Sequence, residues 1–204
     1  HHYVFNYATQ LENKVIANFI SEYQKGRTPN PCVECNRHLK FGSLLDKAQT
    51  LGFDFLATGH YAAIEKRGDS FCLMRAKDKK KDQTYFLYSI PCERLGHILF
   101  PLACLTKDEV RDLAKKNSLP VAAKEESQDI CFVSQKSTRE FLIERVPEIK
   151  PGPIVDLHGK VIGQHRGIIF HTIGQRGGLG ISNPTPLYVA SIDPGKNRIV
   201  VGEK

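Results

Sequence analysis

Much is missing from this sequence, and each absence narrows the reading. No apolar run in its 204 residues approaches the roughly 20 that a membrane-spanning helix requires, so no membrane partner is expected. No basic, then apolar leader opens it, so secretion is not expected and a cytoplasmic location is. No repeat or biased tract is present, which excludes collagen, coiled coil and long disorder. Six cysteines are too few for a disulfide scaffold and read instead as metal ligands, catalytic thiols or core residues. There is no Gly-x4-Gly-Lys-Ser/Thr loop and no GxGxxG running from a strand into a helix. Residues 157–192 contain no Asp or Glu.

What is present is ordinary in bulk. Hydrophobic residues make up 41% and charged residues 25%, the balance of a soluble globular protein. A chain this long buries roughly 70% of its unfolded surface and folds without disulfides. Its 29 Lys+Arg against 22 Asp+Glu leave a net charge of +7, which favours a polyanionic partner.

Tyr3-Val4-Phe5-Asn6-Tyr7 reads as a strand, entered abruptly from His1 and His2, which resemble a tag remnant or a cut inside a domain. Leu11, Val15, Ile16, Phe19, Ile20 and Tyr23 lie on one helical face, predicting a helix over 10–25 that stops at Gly26 before Thr28-Pro29-Asn30-Pro31. A second helix is predicted over 37–51, then a short buried strand over 53–58 ending at Gly59-His60. That order indicates an α/β layer with a parallel sheet. A hairpin is expected over 60–75 around Lys66–Asp69. Thr106-x-x-Glu109 and Ser137-x-x-Glu140 are capping boxes that open two further helices, with a strand or loop over 121–133 between them. After Pro147 the texture changes to short segments punctuated by glycine, proline and asparagine, the pattern of a small β domain. The predicted division is 1–140 and 141–204.

Five segments could carry chemistry. In Gly26–Asn36, two prolines stiffen a loop that delivers Cys32-x-x-Cys35 to the head of a helix, where amides and the dipole stabilise thiolate. Redox or nucleophilic thiols, a metal site using Cys-x2-Cys-x2-His with His38, and a coincidental pair all remain open. A zinc ribbon has little support, because no second CxxC exists and a structural zinc needs about four ligands. Cys131, between Ile130 and Phe132, reads locally as a core residue, as do Cys72, Cys92 and Cys104. Ala57–Tyr61 ends a predicted strand, where open α/β sheets bind ligands; Gly59 permits close approach and His60 can donate or stack. The basic run Arg75–Lys81, followed by Asp82-Gln83-Thr84-Tyr85-Phe86, suits RNA or a solvated surface. The glycine-rich centre His171–Gly180 of the acid-free stretch suits a phosphate backbone or a flexible loop.

Together, GRTPNPCVECN, KFGSLLDKA, ATGHYA, KDQTYFLY, FPL, SQDICFV and HTIGQRGGLGI resemble, in order and spacing, the tRNA-specific 2-thiouridylases, over nearly the whole chain. That family also carries an SGGxDS ATP loop and a C-terminal barrel. Neither is seen here, so the resemblance implies a fragment: the latter part of a parallel-sheet nucleotide-binding α/β domain, then a small, mainly β tRNA-binding domain.

The implied reaction is ATP-dependent (with Mg2+) replacement of the 2-oxygen of the wobble uridine of tRNA by sulfur. It would run through an adenylated uridine and a cysteine persulfide, the sulfur coming from a sulfur-relay or cysteine desulfurase protein. Cys131 matches the persulfide cysteine. Cys35 matches the cysteine that releases the sulfur, leaving a Cys35–Cys131 disulfide. Asn30, Pro31 and Cys32 match the stretch contacting the target base. Gly59 matches an ATP contact, and His60, Lys81, Asp82 and Gln83 match tRNA contacts. Where many relatives have Asp, this chain has Cys32, so three cysteines could instead hold a [4Fe–4S] cluster with one open iron. A non-catalytic RNA-binding piece is the other alternative.

Overall fold

The computed structural model describes residues 2–124, 130–133 and 137–203. The chain forms two compact units, His1–Lys14 with Cys32–Gln128, and Val15–Pro31 with Asp129–Lys204.

A helix that enters the first unit at Cys32 opens at Pro31–Cys35, widens into π-type turns over Asn36–Leu44 and returns to regular geometry over Leu45–Thr50. Proline suits the first helical position, where its missing N–H would have had no partner. The wide stretch breaks at Gly42, whose φ/ψ of −96°/−106° are not helical. Only glycine fits there, because a Cβ would lie 2.9 Å from the Arg37 carbonyl oxygen. Arg94 satisfies the carbonyls freed at the break. Its Nη1 donates to Phe41 O at 3.0 Å and to Asp46 Oδ1 at 2.7 Å.

Strand β1 (Leu56–Ala57) pairs in parallel with β4 (Ile98–Leu99), Leu56 opposite Ile98. Between them in sequence, β2 (Ala62–Arg67) and β3 (Ser70–Arg75) form an antiparallel hairpin around Gly68-Asp69. The core gathers Phe41, Leu45, Ala62, Leu87, Ile90, Leu95, Ile98 and Phe100. Each large side chain buried there contributes on the order of 1.5–3 kcal/mol. Both predicted capping boxes form: Thr106 with Glu109 on the helix Lys107–Lys116, and, in the second unit, Ser137 with Glu140 on Thr138–Arg145.

Two expectations are corrected. Residues 3–7 pair with no strand among the described residues. Their aromatic rings stack on one another instead, Tyr3 on Phe5 at 6.1 Å and Phe5 near Tyr7 at 6.2 Å. The strand expected over 53–58 shortens to two residues, because only Leu56 and Ala57 find ladder partners on β4. Over 121–133, where a strand or loop is expected, the described residues follow the loop alternative, with a tight turn at Pro120–Ala123 and no strand.

The second unit holds the helix Ala17–Gln24 and a four-stranded sheet in the order β6-β5-β8-β7. Its strands are β5 (Gly152–Val155), β6 (Val161–His165), β7 (Tyr188–Asp193) and β8 (Arg198–Gly202). β5 and β8 run parallel, and the two outer pairs are antiparallel. Ile154, Val189, Ile199 and Val201 point into its core. A separate aromatic cluster forms where Phe19 meets Tyr23, Phe132 and Phe141, with ring centroids 5.0–6.2 Å apart. The helix ends at Gly26, in the left-handed region at φ +68°, as a C-terminal glycine should.

Candidate functional site

The first unit ties three of the sequence motifs together. On the helix carrying Cys32 and Cys35, Asn36 is 2% exposed. Its side-chain amide donates to the Phe86 carbonyl at 2.9 Å, which anchors the Cys-x-x-Cys helix to the turn after Asp82-Gln83. Gln83 in turn grips the Ala57–Tyr61 segment: its Oε1 accepts from Tyr61 N at 2.9 Å, and its own N–H donates to Tyr61 O at 2.8 Å. The His60 ring packs against Phe41 and Phe100 at centroid distances of 5.7 and 6.0 Å, and its Nδ1 lies 2.8 Å from Thr58 Oγ1. Burial, helped by the nearby Lys40 charge, lowers the His60 pKa to about 4. The ring is therefore neutral at physiological pH, a hydrogen-bonding and stacking group rather than a cation.

Within the helix, Cys32 is exposed and Cys35 half-buried. His38 turns toward Glu34, Nε2 to Oε2 3.2 Å one turn back. Among the described residues no three His, Cys, Asp or Glu side chains gather as a metal site, and His38 adds no third ligand to Cys32 and Cys35. Gly59 is exposed, and a Cβ there would meet only Leu102, at 3.8 Å, so the backbone end after β1 is open to approach.

The basic loop 75–84 is organised by its own acids. Asp78 accepts from the amides of Lys80, Lys81 and Lys107, and the Lys107 bond leads in lowering its pKa. Asp82 accepts from Ala76 N and from the amide and hydroxyl of Thr84. Burial pulls the Asp82 carboxyl up, but these bonds and the nearby Arg75 outweigh it and leave the pKa below its ordinary value. Lys77 pairs with Glu109 at 2.7 Å. The loop's negative charge is thus turned inward onto backbone, while Lys79 and Lys80 stay exposed. Beside them Tyr85 and Tyr88, 67% and 68% exposed, lie 6.2 Å apart.

Asn30, Pro31 and Cys131 belong to the second unit. Asn30 is half-buried and Pro31 buried. The corner before them is fixed by Glu22, which binds the Arg27 guanidinium through two hydrogen bonds and also accepts from Lys25. The Arg27 bonds hold the Glu22 pKa down to about 2. Cys131 sits on a turn closed by Val133 N donating to Ile130 O at 2.9 Å. Phe132 on that turn points into the Phe19 and Phe141 cluster, and Cys131 itself is exposed. The local expectation of a core cysteine is therefore wrong for Cys131, and also for Cys92 and Cys104, which are exposed; Cys72 is half-buried on β3. Ser127, Gln128 and Asp129 of the Ser127–Val133 motif lie outside the described residues, as does His1.

Sequence reasoning missed several residues. Asn36 lay inside a flagged motif, and a polar side chain between Cys35 and a run of apolar helix positions was its signal. His165 and His171 lie in the acid-free stretch, but their burial as a pair, 5.9 Å apart by ring centroid, had no sequence signal.

The chain thus combines an α/β unit with a parallel strand pair, carrying paired cysteines on a helix beside a basic aromatic loop, and a small β-sheet unit. A family model described as the tRNA methyl transferase HUP domain matches residues 1–135, and one described as the tRNA methyl transferase PRC-barrel domain matches 139–203. The chain belongs to this family. It is 60% identical over 203 residues to the tRNA-specific 2-thiouridylase MnmA 1 of Syntrophus aciditrophicus, covering 100% of this chain and 55% of that protein. It is 50% identical over 206 residues to the tRNA-specific 2-thiouridylase MnmA of Moorella thermoacetica, covering 100% of this chain and 58% of that one. The chain spans about half the length of the curated relatives it matches.

Proposed function

We propose that this chain belongs to an enzyme that replaces the 2-oxygen of the wobble uridine of tRNA by sulfur. The observation that carries the reading is the joining of three motifs in the first unit. Asn36 to Phe86, Gln83 to Tyr61 and His60 to Phe41 hold a cysteine pair, an open glycine and a basic aromatic loop as one assembly. The names of the relatives point the same way. In this reading residues 1–140 are the latter part of the catalytic α/β domain and 141–204 a small central tRNA-binding domain. The enzyme works in the cytoplasm. No helix among the described residues is long and apolar enough to cross a membrane.

ATP, with Mg2+, would supply the activation, since an AMP ester makes the uridine 2-oxygen a good leaving group; Gly59 is the residue of this chain that would face it. Cys131 takes a sulfane sulfur from a sulfur-relay or cysteine desulfurase protein. The Cys35 thiolate attacks the Cys131 sulfur of that persulfide. The S–S bond to the terminal sulfur breaks, a Cys35–Cys131 disulfide forms, and hydrosulfide leaves with the electron pair. Attack at C2 then expels AMP, and a thiol reductant restores both cysteines. Thiolates and persulfides are strong nucleophiles near neutral pH. Asn30, Pro31 and Cys32 contact the base, and His60, Lys81, Asp82 and Gln83 face the tRNA.

The alternative is a [4Fe–4S] cluster on Cys32, Cys35 and Cys131, suggested by the third cysteine at Cys32. Iron analysis of anaerobically purified protein tests it. Nucleoside mass spectrometry of tRNA treated with the full-length protein, ATP and a sulfur donor tests the main reading. The expected product is 2-thiouridine. Its absence would defeat the reading, and an added methyl group would favour the chemistry in the family description.

A further inference from the structure

One cation in the second unit stands apart from the residues discussed so far. The Arg139 guanidinium carbon lies 4.2 Å from the centre of the Phe170 ring. No carboxylate among the described residues pairs with it: its neighbour Glu140 is turned back onto the Ser137 amide and hydroxyl. A guanidinium stacked on an aromatic face keeps its N–H fork in plane and available for a planar or tetrahedral oxyanion.

Arg139 borders a cavity of about 230 Å³ that Tyr23, Thr138, Phe170 and Thr172 also line. The polar groups there are hydroxyls. Thr172 Oγ1 is 3.1 Å from Thr28 Oγ1, and burial pushes the Tyr23 phenol pKa up, so it stays a neutral donor. Nearby His171 is kept neutral, by burial first and then by the charges of His165 and Arg139. None of the described residues lining the cavity is a carboxylate. The same unit contributes the acid-free stretch 157–192 with Lys160, Arg166 and Arg176.

We infer that Arg139, stacked on Phe170 above this cavity, is a binding site for an RNA phosphodiester. The guanidinium fork takes two phosphate oxygens, and the Thr138, Thr172 and Tyr23 hydroxyls are donors for a third oxygen or the adjoining ribose. The inference rests on the tRNA reading and assigns the second unit a specific phosphate contact.

The test is equilibrium binding of a fluorescent tRNA anticodon stem–loop to the full-length protein over a range of salt concentrations. Arg139→Gln is expected to weaken binding about tenfold and to flatten the log K against log salt slope by about 0.7–0.9, the signature of one lost phosphate contact. Arg139→Lys is expected to keep the slope while losing part of the affinity, because it keeps the charge and loses the fork. Unchanged affinity and slope in Arg139→Gln overturn the site. So does lost affinity with an unchanged slope, which would mark a structural role. Inorganic phosphate that binds the parent but not Arg139→Gln, with RNA binding equal in both, assigns the site to small phosphate esters and also overturns it. Failure of the parent itself to bind the stem–loop would instead defeat the tRNA reading.

Discussion

The Asn36 side-chain amide donates to the Phe86 carbonyl oxygen at 2.9 Å, across 50 residues of sequence. The bond joins the helix of Cys32 and Cys35 to the loop of Asp82 and Gln83 inside the core, since Asn36 is 2% exposed. Asn36→Asp removes the donor and sets an acceptor-only charge against a carbonyl. Leaving a buried polar group unsatisfied costs about 1–3 kcal/mol, and more for a charge. Chemical denaturation should therefore show Asn36→Ala less stable than the parent by about 1–3 kcal/mol and Asn36→Asp less stable still. An Asn36→Asp protein as stable as the parent would show that the anchor contributes nothing.

What was legible in the sequence was local. Thr106 with Glu109 and Ser137 with Glu140 announce helices through bonds made within one turn, and both boxes form. The apolar face of the first long helix was equally plain, and Phe19 on that face is buried. Its partner was not legible, because nothing near Phe19 in sequence points to Phe132 or Phe141. Strand lengths failed for the same reason. Leu56 and Ala57 become a strand only where Ile98 and Leu99 meet them, and Tyr3–Tyr7 alternates well but meets no ladder. Residue types at the candidate site were visible as motifs. The hydrogen bonds that assemble them, Asn36 to Phe86 and Gln83 to Tyr61, depend on the tertiary fold.

Gly152 leaves no room for a side chain. A Cβ there would lie 2.0 Å from the Asn197 carbonyl oxygen and 2.8 Å from His165 Nε2. Both neighbours are held, since His165 Nε2 donates to that same carbonyl at 3.1 Å and Asn197 Nδ2 donates to Pro151 O at 2.9 Å. Gly152→Ala should thus force β5 away from β8 and cost about 4 kcal/mol or more, as overpacking with loss of buried hydrogen bonds does. Gly177→Ala, with nothing within 4 Å of its Cβ, is the control and should stay within about 0.5 kcal/mol of the parent. Thermal unfolding of the two variants checks the contrast.

Three histidines should make the protein acid-sensitive. Burial lowers the pKa of His60 to about 4, with Lys40 adding to the effect. Burial also lowers His165, against the hydrogen bond to Asn197, and His171, with the charges of His165 and Arg139 adding to it. A lowered histidine pKa means that the folded state resists the proton. The unfolded chain accepts it below about pH 6.5. The stability these rings contribute is complete above that value and declines as pH falls, for His60 until about pH 4. Glu22 and Glu109, held to about pKa 2 by Arg27 and Lys77, begin to matter only below their ordinary value of 4.5. The unfolding midpoint should therefore be lower at about pH 5 than at about pH 7.5, and His171→Gln should reduce the difference. Equal midpoints in the parent would mean that the buried rings are not held neutral.

Exposure alone does not single out the reactive cysteines, since Cys32, Cys92, Cys104 and Cys131 are all exposed. Their places in the fold differ. Cys35 lies one residue before the Asn36 anchor, and Cys131 stands on a turn pinned by Phe132. Cys92 opens a short helix, and Cys104 lies in a loop just before the Thr106 cap. In the full-length protein, Cys35→Ala and Cys131→Ala should abolish 2-thiouridine formation while leaving circular dichroism and unfolding unchanged, because neither side chain is buried in the core. Cys92→Ser and Cys104→Ser should retain the activity. A folded Cys131→Ala protein with normal turnover would remove Cys131 from the mechanism. Cys32 separates the two sulfur routes. A persulfide passing between Cys131 and Cys35 does not need its thiol, whereas a three-cysteine cluster does. Full activity in Cys32→Ala, with no iron in anaerobically prepared protein, therefore leaves the persulfide route. An inactive Cys32→Ala protein whose parent carries iron would reverse that choice.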